Sequence, residues 1–195
     1  FQYNLCLEQF RSGYQIPLDA GASVRGSRAG ELVARCVVES GTCSFYSAIR
    51  DRSDEPVLKR IAGFIAQDEA RHYRLFKTHL KRYLENQKMG ALERCRIAYD
   101  RVAETDDDEL AYAYYSANVA LSRDAQDYDR DECARAYSVR TMQLYDFKHV
   151  RAAAHMILNA ADLDPRSRLS RLGIWLGWKM IQWRTRRLQH LAPTH

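Results

Sequence analysis

The chain is poor in residues that interrupt helices, with only 9 glycines and 4 prolines among 195 residues. Strand-type alternation does not persist beyond a few positions, so a β-rich fold is excluded and the composition leans toward helices. No uninterrupted apolar run approaches the ~20 residues needed to cross a bilayer, which leaves a soluble or peripheral chain. The five cysteines, Cys6, Cys36, Cys43, Cys95 and Cys133, contain no C-x-x-C pair. Neither a zinc ribbon nor a rubredoxin-type knuckle can be built from them. An odd count without metal-type spacing fits a reducing compartment, and so a cytoplasmic protein. The first residue is Phe rather than Met, which leads us to expect a trimmed or processed N-terminus. Acidic residues are also missing after Asp164, where seven arginines and lysines follow, leaving −2 of the net +5 for the rest of the chain. The basic balance therefore belongs to the tail.

What is present reads as long helices. Residues 1–26 hold Gly13, Pro17, Gly21 and Gly26 without a sustained period and are expected to form an irregular arm. Ser27 is an N-cap candidate for a first helix running to about Arg50. Asp51 to Pro56 has turn residues and a proline suited to a first helical turn. A second helix is predicted from there to about Glu85, with Gly90 as a breaker and Ala91–Glu104 helical again. Thr105 to Glu109 looks like a helix start, with a capping Thr and acids where the macrodipole favours them. That third helix is predicted to reach about Leu121. An Asp-rich turn, 124–131, leads to a fourth helix ending near Asp162. A basic, Trp-rich amphipathic helix occupies the remainder, 163–195.

Steps of three and four residues expose an anomaly in the apolar stripes. The first helix gives Leu32, Cys36, Glu39, Cys43, Tyr46; the second gives Leu58, Ala62, Ile65, Glu69, His72, Phe76, Leu80. The third gives Glu109, Ala113, Ser116, Ala120, and the fourth gives Val139, Met142, Asp146, His149, Ala153. Each helix thus carries an ionisable group on its core-facing stripe. An isolated buried carboxylate is costly and normally protonates or finds a partner. Four such helices point to something positive at the centre, and carboxylate oxygen with imidazole nitrogen suits iron and manganese. Glu69 and His72, at i and i+3, share a face and reach adjacent sites on a metal; Asp146 and His149 repeat the spacing with a shorter acid.

Plainer readings stand beside these. A lone E-x-x-H is often a surface pair, Asp106 to Glu109 suits a solvated N-terminal cluster, and Asp146 suits a pairing with an arginine. Tyr46 on the Glu39 stripe is more simply a core tyrosine, and His79 a half-exposed helix histidine.

Over residues 27–162 the pattern resembles the ferritin-like di-iron carboxylate proteins, the group of rubrerythrins, desaturases and aerobic cyclases. Their pattern is a Glu on the first and third helices and E-x-x-H on the second and fourth, and Asp68-Glu69-Ala70-Arg71-His72 is similar to the second-helix motif. The resemblance implies an all-α, ferritin-like four-helix bundle, with Ala91–Glu104 as a crossover segment and the basic amphipathic helix appended. It also implies two iron ions, or an iron–manganese pair, held by Glu39, Glu69, His72, Glu109, Asp146 and His149. The departures are Asp146, where the family has Glu, and Glu109, which sits close to the start of its helix. The activity implied is an oxidoreductase acting on oxygen or peroxide with an external electron donor, its substrate unspecified. The alternative is a ferritin-like binding or structural module with a degenerate site. The C-terminal helix suits a membrane surface or a homodimer contact, and no nucleic-acid recognition motif accompanies its charge.

Overall fold

The computed structural model describes residues 25–86, 88–104, 108–121 and 127–191; most of the expected N-terminal arm, the capping Thr105 and Asp124 lie outside them. The described residues are all-helical: α1 (Arg28–Arg52), α2 (Pro56–Asn86), α3 (Ala91–Ala103), α4 (Asp108–Asn118), α5 (Arg130–Leu144), α6 (Phe147–Ala160) and α7 (Arg168–Leu191). Two compact units are present. Among the described residues, one comprises 25–86, 88–104 and 144–181; the other comprises 108–121, 127–143 and 182–191.

In the first unit α1 is the central element, packed along α2 and against α6 and α3. Its start is fixed by Ser27, whose hydroxyl accepts the Gly30 N–H at 3.0 Å from an extended backbone, as the capping chemistry predicts. Gly30 is required by close approach: a Cβ there would lie 2.8 Å from the Arg25 carbonyl oxygen and 3.2 Å from Ile97 Cδ1. The main core joins Val33, Ala34 and Val37 of α1 to Leu80 of α2 and Ile97 and Ala98 of α3. A second cluster joins Cys36, Tyr73 and Ala160, with the Tyr73 hydroxyl donating to the Met156 carbonyl at 2.6 Å. Both α2 and α6 are thereby tied to α1.

The single fourth helix expected from the Asp-rich turn to Asp162 is not what the chain forms. The helix ends at Leu144 and restarts at Phe147, with Asp146 in an extended conformation (φ −105°, ψ 162°) as the N-cap of α6. The reason is local. Asp favours the cap position, and the His149 ring accepts the Asp146 N–H at 3.0 Å, satisfying a donor that a continuous helix would have used. Met142, Asp146 and His149 stay in register across the break, so periodicity could not reveal it.

The second unit holds α4 and α5. The rings of Tyr112, Tyr115 and Tyr128 meet with centroids 5.0–5.7 Å apart, and Arg130 pairs with Asp108 at 2.6 Å.

Candidate metal centre

The α1–α2 hairpin sets the level of the site. Its turn is closed by Glu55, whose carboxylate accepts the N–H groups of Val57 at 3.0 Å and Leu58 at 2.5 Å. Those bonds hold the Glu55 carboxyl below its ordinary pKa and start α2 at Pro56. Glu39 lies 13 residues before the end of α1, and Glu69 lies 13 after the start of α2. Equal arms in an antiparallel hairpin bring the two carboxylates to one level. His72, one turn beyond Glu69, falls on the same face.

The three side chains converge. His72 Nδ1 is 3.4 Å from Glu69 Oε2 and 3.6 Å from Glu39 Oε2. Ligand atoms of Glu39, Glu69 and His72 all lie within 4.8 Å of one another, and among the described residues no other set of three Asp, Glu, His or Cys side chains does so. Glu39 is buried, its side chain 11% exposed; Glu69 is half-buried, and the His72 side chain is 55% exposed. The site therefore has a closed floor on α1 and an open mouth on α2.

Electrostatics at this cluster are strained in the direction a cation would relieve. Burial first, then the adjacent Glu69 as hydrogen-bond partner and as charge, raise the Glu39 pKa to about 7 against the opposing pull of His72 and Arg35. Glu69 is lowered, chiefly because it accepts the hydrogen bond from Glu39, with His72 and Thr42 assisting. The metal-free pair thus shares one proton, held by Glu39.

A pH prediction follows. A buried carboxyl whose native pKa is raised binds its proton more tightly when folded. Its stabilising contribution is complete below the unfolded value of 4.5 and is lost as pH rises through about 7. Metal-free wild type should lose about 2 kcal/mol of unfolding free energy across that interval relative to Glu39→Gln. Urea unfolding in the presence of a chelator measures it; parallel pH profiles for the two proteins would refute the shared proton.

Asp146 and His149 are engaged with partners other than the cluster. Asp146 caps α6 and pairs with Arg52 at 2.8 Å, the arginine pairing its sequence context allowed. His149 is 4% exposed and both its ring nitrogens are engaged. Nδ1 accepts the Asp146 N–H, so the neutral ring carries its proton on Nε2 and donates to Asp51 Oδ2 at 3.1 Å. Ser44 of α1 adds a bond to the His149 carbonyl at 3.0 Å. Glu109 is exposed in the first turn of α4, in the second unit. Tyr46 and His79 are half-buried.

Two contributors were not read from the sequence. Asp51, placed there in a turn, ends α1 as the carboxylate of His149, Lys148 and Arg50, and these partners hold its carboxyl well below the usual range, Arg50 most strongly. Thr42, three residues after Glu39, donates its hydroxyl to the Val38 and Glu39 carbonyls at 3.2 and 3.3 Å and, beside Glu69, helps to lower that carboxyl's pKa, a spacing the sequence did contain. No protein-family model, curated protein or solved structure matches the chain.

Proposed function

We propose that this chain is a ferritin-like oxidoreductase that binds iron, as a pair or with manganese, and acts on oxygen or peroxide. The observation carrying the proposal is the convergence of Glu39, Glu69 and His72 on one level of the α1–α2 hairpin, with Glu39 buried beside a second carboxylate. Two carboxylates and an imidazole are a donor set suited to iron and manganese. Their shared proton is what a divalent cation would displace, because ligands must be deprotonated to bind. Such an ion supplies Lewis acidity and redox chemistry. Glu39 would anchor it from the closed floor, Glu69 would adjust its coordination beside Thr42, and His72 would hold the solvent-facing side.

Three donors suit one ion, and a second ion calls on further carboxylates. The engagement of His149 and Asp146 with Asp51 and Arg52 favours a second reading: a ferritin-like module holding one metal or a degenerate site.

Anaerobic titration with Fe(II), followed by exposure to oxygen, separates them. The oxidoreductase reading expects close to two irons per chain and a near-ultraviolet absorption that appears with oxygen. One iron or none, without that absorption, supports the module and refutes the oxidoreductase.

A further inference from the structure

The tail of the chain builds a second feature that the metal chemistry does not use. Two adjoining clefts of about 420 and 570 Å³ open between α6 and α7 and share Arg151, His155 and Arg171. Arg168 completes one and Lys148 and Arg166 the other, and no carboxylate lines either. Lys148 is committed to Asp51 at 2.5 Å, whereas Arg151, Arg166, Arg168 and Arg171 have no carboxylate partner among the described residues. Asp164, the last acid of the chain, instead accepts the Arg166 N–H at 2.9 Å. Four guanidinium groups around two adjoining, open, acid-free clefts, three to each, are an anion site, and their fork geometry favours phosphate.

Beside it α7 turns outward a face that is apolar and unburied. Leu169, Leu172, Leu176 and Met180 are 83, 53, 52 and 66% exposed, with Trp175 at 48%. These residues recur at three- and four-residue steps on one side of α7, while Ile174 on the other side is buried against the unit. Lys179 lies over the Trp175 ring, 5.8 Å from its centroid, flanking the stripe with a cation. Leucines at the centre, Trp at the border and basic residues alongside are what an interfacial helix needs on an anionic bilayer. Leu172 and Trp175 line the arginine cleft as well, so the headgroup site and the apolar stripe are one continuous surface. No described helix is long and apolar enough to cross a membrane, so any such contact lies along its surface.

We infer that the α6–α7 cleft and the outer face of α7 dock the protein on an anionic phospholipid surface, with lipid phosphate in the arginine cleft and the Leu–Trp stripe in the interface. Charge decides between this occupant and a second copy of the chain. The tail is uniformly basic, so two copies meeting through α7 would repel, whereas anionic lipid is complementary.

The test is co-sedimentation of the full chain with vesicles of phosphatidylcholine alone and of phosphatidylcholine mixed with phosphatidylglycerol. Binding to the mixed vesicles only is expected. Arg168→Gln with Arg171→Gln should weaken it by about 25-fold, at about fivefold per cationic side chain near the surface. Arg168→Lys with Arg171→Lys should restore most of it. Leu172→Ser with Leu176→Ser should weaken it by more than about tenfold with the charge intact. Three vesicle-binding results overturn the inference: equal binding to both vesicle types, no binding to either, or complete loss of binding on adding inorganic phosphate at constant ionic strength. The last would mark a free-anion site. Sedimentation equilibrium showing a dimer abolished by the Leu172→Ser, Leu176→Ser pair would overturn it in favour of a second copy.

Discussion

Replacing Glu39 with Ala lowers Fe(II) affinity by more than about 100-fold while leaving the helical fold in place. Loss of a partner that merely orients a ligand already costs roughly 10–100-fold, and Glu39 is placed to touch the ion itself. It is also the one buried member of the set, so water cannot replace it without opening the α1–α2 packing. The same substitution removes a carboxyl whose pKa burial and Glu69 together raise to about 7, and metal-free Glu39→Ala should therefore not be markedly destabilised at pH 8. Affinity and stability then move independently, as a binding role requires. His72→Ala should weaken binding less, because its side chain is 55% exposed and water can take its place. Isothermal titration under anaerobic conditions reads the affinities. Unchanged affinity in Glu39→Ala would remove the cluster from the account.

His149→Ala produces the opposite pattern: a loss of about 3 kcal/mol in stability with iron affinity at the cluster unchanged. The ring is 4% exposed and occupies space between α1 and the start of α6. Its removal deprives the Asp146 N–H of an acceptor and Asp51 of a donor. A buried donor left unsatisfied and a side chain deleted from a packed site together account for that magnitude. Chemical denaturation gives the stability, and the same calorimetric titration gives the affinity. A large loss of iron binding with little change in stability would return His149 to the ligand set that its sequence spacing implied.

His149 also shows how far sequence reading reached. The existence of α1, α2 and α3, the Ser27 cap, the proline at the start of α2 and the common level of Glu39 and Glu69 were legible because they rest on local rules: capping, helical breakers and rise per residue. The destination of His149 was not, because helical periodicity survives a two-residue break. Which partners the Asp146 and His149 side chains then take depends on Arg52 and Asp51, about 95 residues away. The stripe on α1 was read only in part for a different reason. Its central position buries Val33, Val37, Ser40 and Ser44 as well as Cys36 and Glu39, and serines do not register as core residues. Ser40 and Ser44 are accommodated there because their hydroxyls donate to the Cys36 and His149 carbonyls. The stripe rule assumes one buried face, and α1 has more than one.

The C-terminal helix was legible in composition and not in orientation. Basic residues and tryptophans were evident, but only packing shows that α7 buries Ile174 and leaves Leu169, Leu172 and Leu176 outside. The arginine cleft is likewise assembled from two helices and the loop between them.

The most direct test of the central claim is a crystal loaded anaerobically with Fe(II), with diffraction recorded on either side of the iron absorption edge. The account predicts an anomalous peak at about 2.0–2.2 Å from carboxylate oxygens of Glu39 and Glu69 and from a ring nitrogen of His72, distances usual for carboxylate and imidazole bound to a divalent transition metal. Loaded crystals with no peak at that level of the α1–α2 hairpin, or with the iron bound elsewhere, would contradict it.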